Sequence, residues 1–197
     1  MSNSKCILDI VEKNNGIVTA SMVADAGVSP GSLKYLCDTG SLEKVSRGVY
    51  TLPDTWSDEF VEIQSRYKKG IFSLGSSLFL LGLSDRTPQR FDMTFPATYN
   101  LTRPKNEGIK CSGAKEPFYS MGVIDLKTPS GHYVKGYNAE KTLCDILRPH
   151  TKVGIEIITD AFKQYSTMRE KDLHTLSKYA KELHVEKRVR SYLEVLL

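Results

Sequence analysis

The first 53 residues carry chain breakers at such close intervals that no long helix or strand fits between them. Asn14-Asn15-Gly16, Gly27, Ser29-Pro30, Thr39-Gly40, Ser46-Arg47-Gly48 and Pro53 cut the segment into a first piece of 13 residues and later ones of ten or fewer. Asn and Gly accept the left-handed backbone that closes a helix or turns a hairpin, and Pro has no N–H with which to continue a ladder. The apolar spacing then sorts the pieces. Cys6, Ile7, Ile10 and Val11 fall on one face of a helix over 5–14. Ile17-Val18 is read as a short extended link. Thr19 or Ser21 caps a second helix over 20–26, with Met22 and Val23 facing inward. Ser29 as N-cap and Pro30 as first helical residue start a third helix, which runs to about Asp38 and buries Leu33, Leu36 and Cys37. The runs 42–45 and 49–52 flank Ser46-Arg47-Gly48 as a β-hairpin.

Three short helices followed by a hairpin make a winged helix-turn-helix, in which the third helix is the candidate for the major groove of DNA and the hairpin for the wing. The outward residues of that helix are Gly31, Ser32, Lys34, Tyr35 and Asp38. Small residues at its start, Ser29, Gly31 and Ser32, allow close approach, and free N–H groups there suit a phosphate. Lys34 and Tyr35 are long enough to reach a phosphate or a base edge. Lys44, Ser46 and Arg47 are the wing candidates, with Arg47 at the tip. The competing reading is a helical module used for protein contacts, since fold alone does not fix function.

The remainder reads as a mixed domain. Thr55 to Ser57 form a linker, and Phe60, Val61, Ile63 and Tyr67 mark a helix over 58–68. A second apolar helix over 73–83 precedes an alternating strand over 90–95 that closes at Pro96. Strands are expected over 108–113, 121–127 and 132–137, the last two joined by Thr128-Pro129-Ser130-Gly131, and helices over 139–148, 154–165, 170–182 and 185–196. The fold class is therefore α+β: a winged helix-turn-helix over 1–54, then a mixed α/β domain over 55–197 that ends in helices.

Charge is distributed unevenly. The chain carries a formal net charge of +4. Residues 1–54 hold five Lys/Arg against six Asp/Glu, so 22 of the 27 basic and 17 of the 23 acidic residues lie beyond them. If DNA is the partner, the positive excess lies outside the reading module. Lys163, Arg169, Lys171, Lys178, Lys181, Lys187, Arg188 and Arg190 mark the last helices as a second, phosphate-contacting track. The alternative is a solvated surface diluted by Glu170, Asp172, Glu182 and Glu186.

Other classes find little support. Cys6, Cys37, Cys111 and Cys144 form no CxxC pair, and the four histidines form no ligand motif, so neither a metal nor a cofactor is expected. The opening Met1-Ser2-Asn3-Ser4-Lys5-Cys6 lacks the build of a secretory leader, and the apolar run 78–81 is too short to span a bilayer, which points to the cytoplasm. A nucleotidyltransferase needs Gly-Ser followed by two carboxylates one residue apart. Gly75-Ser76 and Asp85 begin that pattern, but Thr87 fills the second carboxylate position. The alternative from another class is a metal-dependent nuclease or other nucleic-acid-processing enzyme, with Asp92, Glu107, Asp125 and Lys127 converging from strands.

The winged module, the stretch 74–88 (Leu74-Gly75-Ser76-Ser77-Leu78-Phe79-Leu80-Leu81-Gly82-Leu83-Ser84-Asp85-Arg86-Thr87-Pro88) and the stretch 137–148 (Tyr137-Asn138-Ala139-Glu140-Lys141-Thr142-Leu143-Cys144-Asp145-Ile146-Leu147-Arg148) follow one another as in a known family. The chain resembles the AbiEi antitoxins of bacterial type IV abortive-infection systems. The resemblance implies a non-enzymatic phage-defence antitoxin that represses its own promoter by binding inverted repeats. It also implies a C-terminal domain that opposes a nucleotidyltransferase-like toxin without a stable complex. The expected state is a monomer in solution and two or more protomers on double-stranded operator DNA. Within the two stretches, Leu78, Leu81, Leu83, Leu143, Ile146 and Leu147 are expected in the core, and Glu140, Lys141, Asp145 and Arg148 are expected to pair along one helix.

Overall fold

Backbone conformation at the predicted breakers sets the first elements. The computed structural model describes residues 3–196; Met1, Ser2 (part of the stretch read for a leader) and Leu197 lie outside the described residues. Helix α1 (Asn3–Lys13) ends where Asn15 and Gly16 take φ of 49° and 86°. Ile17–Thr19 is strand β1 rather than a link, and it pairs antiparallel with β3 (Val49–Thr51), which in turn pairs with β2 (Glu43–Ser46). The hairpin is thus part of a three-stranded sheet in the order β1-β3-β2. Three residues are too few to show a period, yet Ile17 and Val18 are buried and their backbone groups complete the free edge of β3.

Helix α2 (Ala20–Asp25) is capped by Thr19, whose Oγ1 accepts the Met22 N–H at 3.2 Å. Helix α3 (Gly31–Asp38) starts one residue later than the sequence suggested: Pro30 holds the cap position, and Ser29 Oγ accepts the Gly31 N–H at 3.4 Å. Ile7, Val11, Val18, Val23, Leu33, Leu36 and Leu42 form the core of this module, each contributing roughly 1.5–3 kcal/mol by burial. Cys37, expected inside, is only partly buried at the margin of that core.

The described chain divides into two compact units, one of residues up to 68 together with 127–134, the other of 69–126 together with 135 onward. The first unit contains a buried polar node. Asp58 caps helix α4 (Glu59–Arg66) by accepting the Phe60 and Val61 N–H groups on Oδ1 at 3.0 and 3.4 Å. Its Oδ2 accepts the Thr128 hydroxyl at 2.5 Å and meets His132 Nδ1 at 2.8 Å. His132 Nε2 meets the Asn14 carbonyl at 3.1 Å. The turn 128–131, legible from its Pro-Ser-Gly composition, closes through Gly131 N–H to the Thr128 carbonyl.

The second unit is built on a five-stranded sheet in the order β6-β5-β4-β8-β7, comprising β4 (Ile71–Phe72), β5 (Asp92–Pro96), β6 (Lys110–Ala114), β7 (Val123–Lys127) and β8 (Tyr133–Tyr137). β5 runs antiparallel to β4 and parallel to β6, and β4 runs parallel to β8. Helices α5 (Leu74–Leu80), α6 (Thr102–Asn106), α7 (Ala139–Ile146), α8 (Ile155–Thr167), α9 (Leu173–Glu182) and α10 (Glu186–Leu196) follow in chain order, with a 3-10 turn at Pro149–Thr151. Every residue of α7 is buried. Asn138 caps it by accepting the Lys141 N–H at 2.9 Å, and Gly122 (φ 70°) lies so close that a Cβ there would stand 2.6 Å from Asn138 Oδ1. Leu78, Leu83, Leu143, Ile146 and Leu147 join Phe162, Tyr165 and Leu176 in the helical core, while Leu81, at the C-terminal end of α5, is only partly buried.

Burial also governs thiol chemistry. Desolvation, with Asp145 beside it, pushes the Cys144 thiol up to about 12. The other three cysteines are partly exposed. Burial raises the Cys37 and Cys111 thiols as well, so at pH 8 an aromatic disulfide reagent should titrate the three partly exposed thiols of the native chain first, at unequal rates, and Cys144 only on unfolding. Four equally fast thiols would contradict this packing.

Candidate nucleic-acid interface

Leu33 and Leu36 anchor α3 in the core, and their spacing turns the intervening residues outward. Gly31, Lys34, Tyr35 and Asp38 are exposed, Tyr35 to 60%, while Ser32 is half-buried. Ser29 is exposed, with its hydroxyl turned to the helix start. The sequence-predicted reading face thus forms one surface on one helix. Its cation is Lys34, four residues before Asp38.

The wing is short. Lys44 pairs with Tyr50 and Ser46 with Val49, and the register shifts between them, so Val45 is the bulged residue. Gly48 takes φ of 80°, and its carbonyl accepts the Ala20 N–H at 2.8 Å, which ties the tip to the start of α2. Arg47 and Lys44 are exposed and Ser46 is half-buried. A tip held by a backbone hydrogen bond presents Arg47 from a fixed position rather than from a free loop.

The C-terminal cations lie in the other unit. Lys163 on α8, Lys178 and Lys181 on α9, and Lys187, Arg188 and Arg190 on α10 are exposed. Three of the basic residues in this region also have partners inside the fold. Arg188 Nη1 donates to the Leu147 carbonyl, Lys171 Nζ donates to the Ser166 and Met168 carbonyls at the end of α8, and Arg190 pairs with Glu186 at 3.7 Å. Lys163, Lys178, Lys181 and Lys187 are the exposed lysines of the track.

The residues of the enzyme readings are not gathered into one site. Gly75 and Ser76 belong to α5, where Ser76 Oγ accepts the Asp92 N–H at 2.9 Å. Asp92 is on β5 and Asp125 on β7, with two strands between them. Glu107 pairs with Arg103 at 3.1 Å. Among the described residues, no three His, Cys, Asp or Glu side chains are grouped as a metal site requires. Also among them, no helix is long and apolar enough to cross a membrane.

Sequence reasoning passed over two exposed aromatics, Trp56 (91% exposed) and Tyr133 (66% exposed, at the start of β8). Trp56 sits between wing and α4, where no periodicity distinguishes a surface ring from a buried one.

Residues 7–53 match a family of transcriptional regulators, the AbiEi antitoxins. The resemblance read from the sequence is borne out over this N-terminal segment. No curated protein matches the chain. Among solved structures, the RV2827C protein from Mycobacterium tuberculosis is similar at a TM-score of 0.45 and 14% identity, over 98% of this chain and 81% of that one.

Proposed function

We propose, from an N-terminal module that matches the AbiEi antitoxin regulators, that the chain is a cytoplasmic, non-enzymatic antitoxin that represses its own promoter. The observation that carries this reading is the exposed face of α3, Lys34 and Tyr35, on the same module as the tethered wing with Lys44 and Arg47. Helix α3 enters the major groove of the operator and Arg47 enters the neighbouring minor groove. Inverted half-sites give occupancy by two or more protomers of a chain that is monomeric in solution. The second unit opposes a nucleotidyltransferase-like toxin of a type IV abortive-infection system, without a stable complex.

The test is fluorescence anisotropy on operator and scrambled duplexes at several salt concentrations. Lys34→Ala and Arg47→Ala should each weaken operator binding by roughly 1–3 kcal/mol where the side chain reads a base edge. Lys181→Ala or Lys187→Ala should weaken both duplexes alike and lower the salt slope by about one for each phosphate no longer neutralised. Unchanged affinity and slope in the α9 and α10 variants would leave the winged module acting alone.

The two roles separate by point substitution. The double variant Lys34→Ala/Arg47→Ala should lose repression of a promoter reporter and still restore growth to cells expressing the toxin. Loss of rescue at normal protein level would show that the antitoxin role needs DNA. Cutting the chain at residue 54 is a poorer test, because His132 takes its Nε2 partner from Asn14.

A further inference from the structure

The second unit contains a cavity of about 270 Å³, set among β5, β6, the start of α5 and the end of α7. Its walls include Ser73, Asp92, Lys110, Lys141, Asp145 and Arg148. An adjoining hollow shares Asp92 and Lys110 with it and adds Arg86 and Arg90. Neither the DNA-reading face nor the exposed lysines of α8 to α10 take part in it.

The interior of this cavity is chemically incomplete. Lys141 is 2% exposed and bound to Asp145 Oδ2, an ion pair whose burial is costly unless its remaining valences are met. Asp145 Oδ1 has no hydrogen bond, and Arg148 Nη1 stands 3.6 Å from it. Ser73, 1% exposed, has a hydroxyl without any hydrogen-bond partner. Native proteins rarely leave such groups unmatched, and an unmatched group marks a place where a further polar partner fits. Burial also holds the Asp92 carboxyl above the usual carboxylate range, against the opposing pull of Lys110. Lys110 and His150 are exposed at the same cavity.

These groups define a ligand by what they can still bind. Asp145 Oδ1 is an acceptor without a donor, and Asp92, which already accepts the Gly75 N–H, has acceptor capacity left for a hydroxyl or N–H. The exposed Lys110, with Arg148 3.6 Å from Asp145, suits an anion, and the unpartnered Ser73 hydroxyl completes either kind of interaction. A bare inorganic anion meets the cations and is repelled by the carboxylates. An apolar ligand meets neither. A cavity of this size takes a ligand at the small end of the usual range. We propose that it is a binding site for a small phosphate ester bearing free hydroxyls, of the sugar-phosphate or ribonucleotide class.

Isothermal titration calorimetry on the full chain tests this with ribose 5-phosphate, adenosine 5′-monophosphate, ribose, inorganic phosphate and a single-stranded RNA trinucleotide. One site per chain for at least one of the two phosphate esters is expected. Ribose and phosphate alone should bind about tenfold more weakly or worse, because each satisfies only one of the two kinds of group. Lys110→Ala, at an exposed position, should weaken the ester about tenfold, and Ser73→Ala should weaken it with the fold kept, as shown by an unchanged far-UV circular dichroism spectrum. The trinucleotide should bind no better than the mononucleotide. No binding by either ester would overturn the proposal, as would binding indifferent to both substitutions. Phosphate alone matching the esters would reduce the site to an anion trap. A much tighter trinucleotide would reassign it to nucleic acid.

Discussion

Asp58→Ala lowers stability by about 3 kcal/mol or more, from the lost helix cap and two buried groups left without their acceptor. The carboxylate is 3% exposed and serves four groups: the N–H groups of Phe60 and Val61, the Thr128 hydroxyl and the His132 ring. Alanine removes the α4 cap, itself worth about 1 kcal/mol. It also leaves His132 and Thr128 buried without their acceptor. Asp58→Asn keeps one oxygen, enough for the cap, and puts an NH2 donor where Oδ2 accepted the Thr128 hydroxyl and met His132, so it should fall between alanine and the parent. Urea unfolding followed by far-UV circular dichroism gives the midpoints. A loss under about 1 kcal/mol for alanine would mean that the node contributes no more than an ordinary cap.

Lys141→Met has a comparable expected cost for a different reason. It strands Asp145 inside the second unit, and it removes an ammonium that also sits 4.6 Å from the Tyr137 ring centroid. About 3–5 kcal/mol should be lost. The double replacement Lys141→Met/Asp145→Leu should recover most of it, because two apolar side chains of similar bulk avoid the desolvation that the ion pair entails. A double-mutant cycle in urea measures the coupling. Additive single losses would show that Arg148, at 3.6 Å, compensates Asp145 unaided.

The parts of the fold legible in the sequence are those governed by local chemistry. The left-handed positions at Asn15, Gly16, Gly27, Gly40 and Gly48 end elements where the composition said they would. The Leu33 and Leu36 spacing fixed which face of α3 is outside, and the Leu143, Ile146 and Leu147 spacing placed α7 in the core. What escaped reading was short or non-local. Strand β4 has two residues, and α6 contains a proline, so neither shows a period. The Asp58–His132 pair spans 74 residues, and the cavity draws on β5, β6, α5 and α7. Glu140, expected to pair along its own helix, instead accepts the Tyr165 hydroxyl and the Asp172 N–H. Lys141, Asp145 and Arg148 did pair at the helical spacing. Helical spacing tells which neighbours are available, and tertiary packing decides which are used.

The Asp58 node also sets a schedule for synthesis. The first unit needs Thr128 and His132, which leave the ribosome long after α4. At roughly 5–20 residues per second, the interval between residues 68 and 134 is about 3–13 s. During that time Asp58 has only the Phe60 and Val61 amides as partners. A nascent chain or a prematurely terminated product therefore carries the helix-turn-helix sequence without its finished support. The N-terminal unit reaches its final stability only in chains whose translation has passed residue 132, so synthesis of the second unit is already under way before the first is complete.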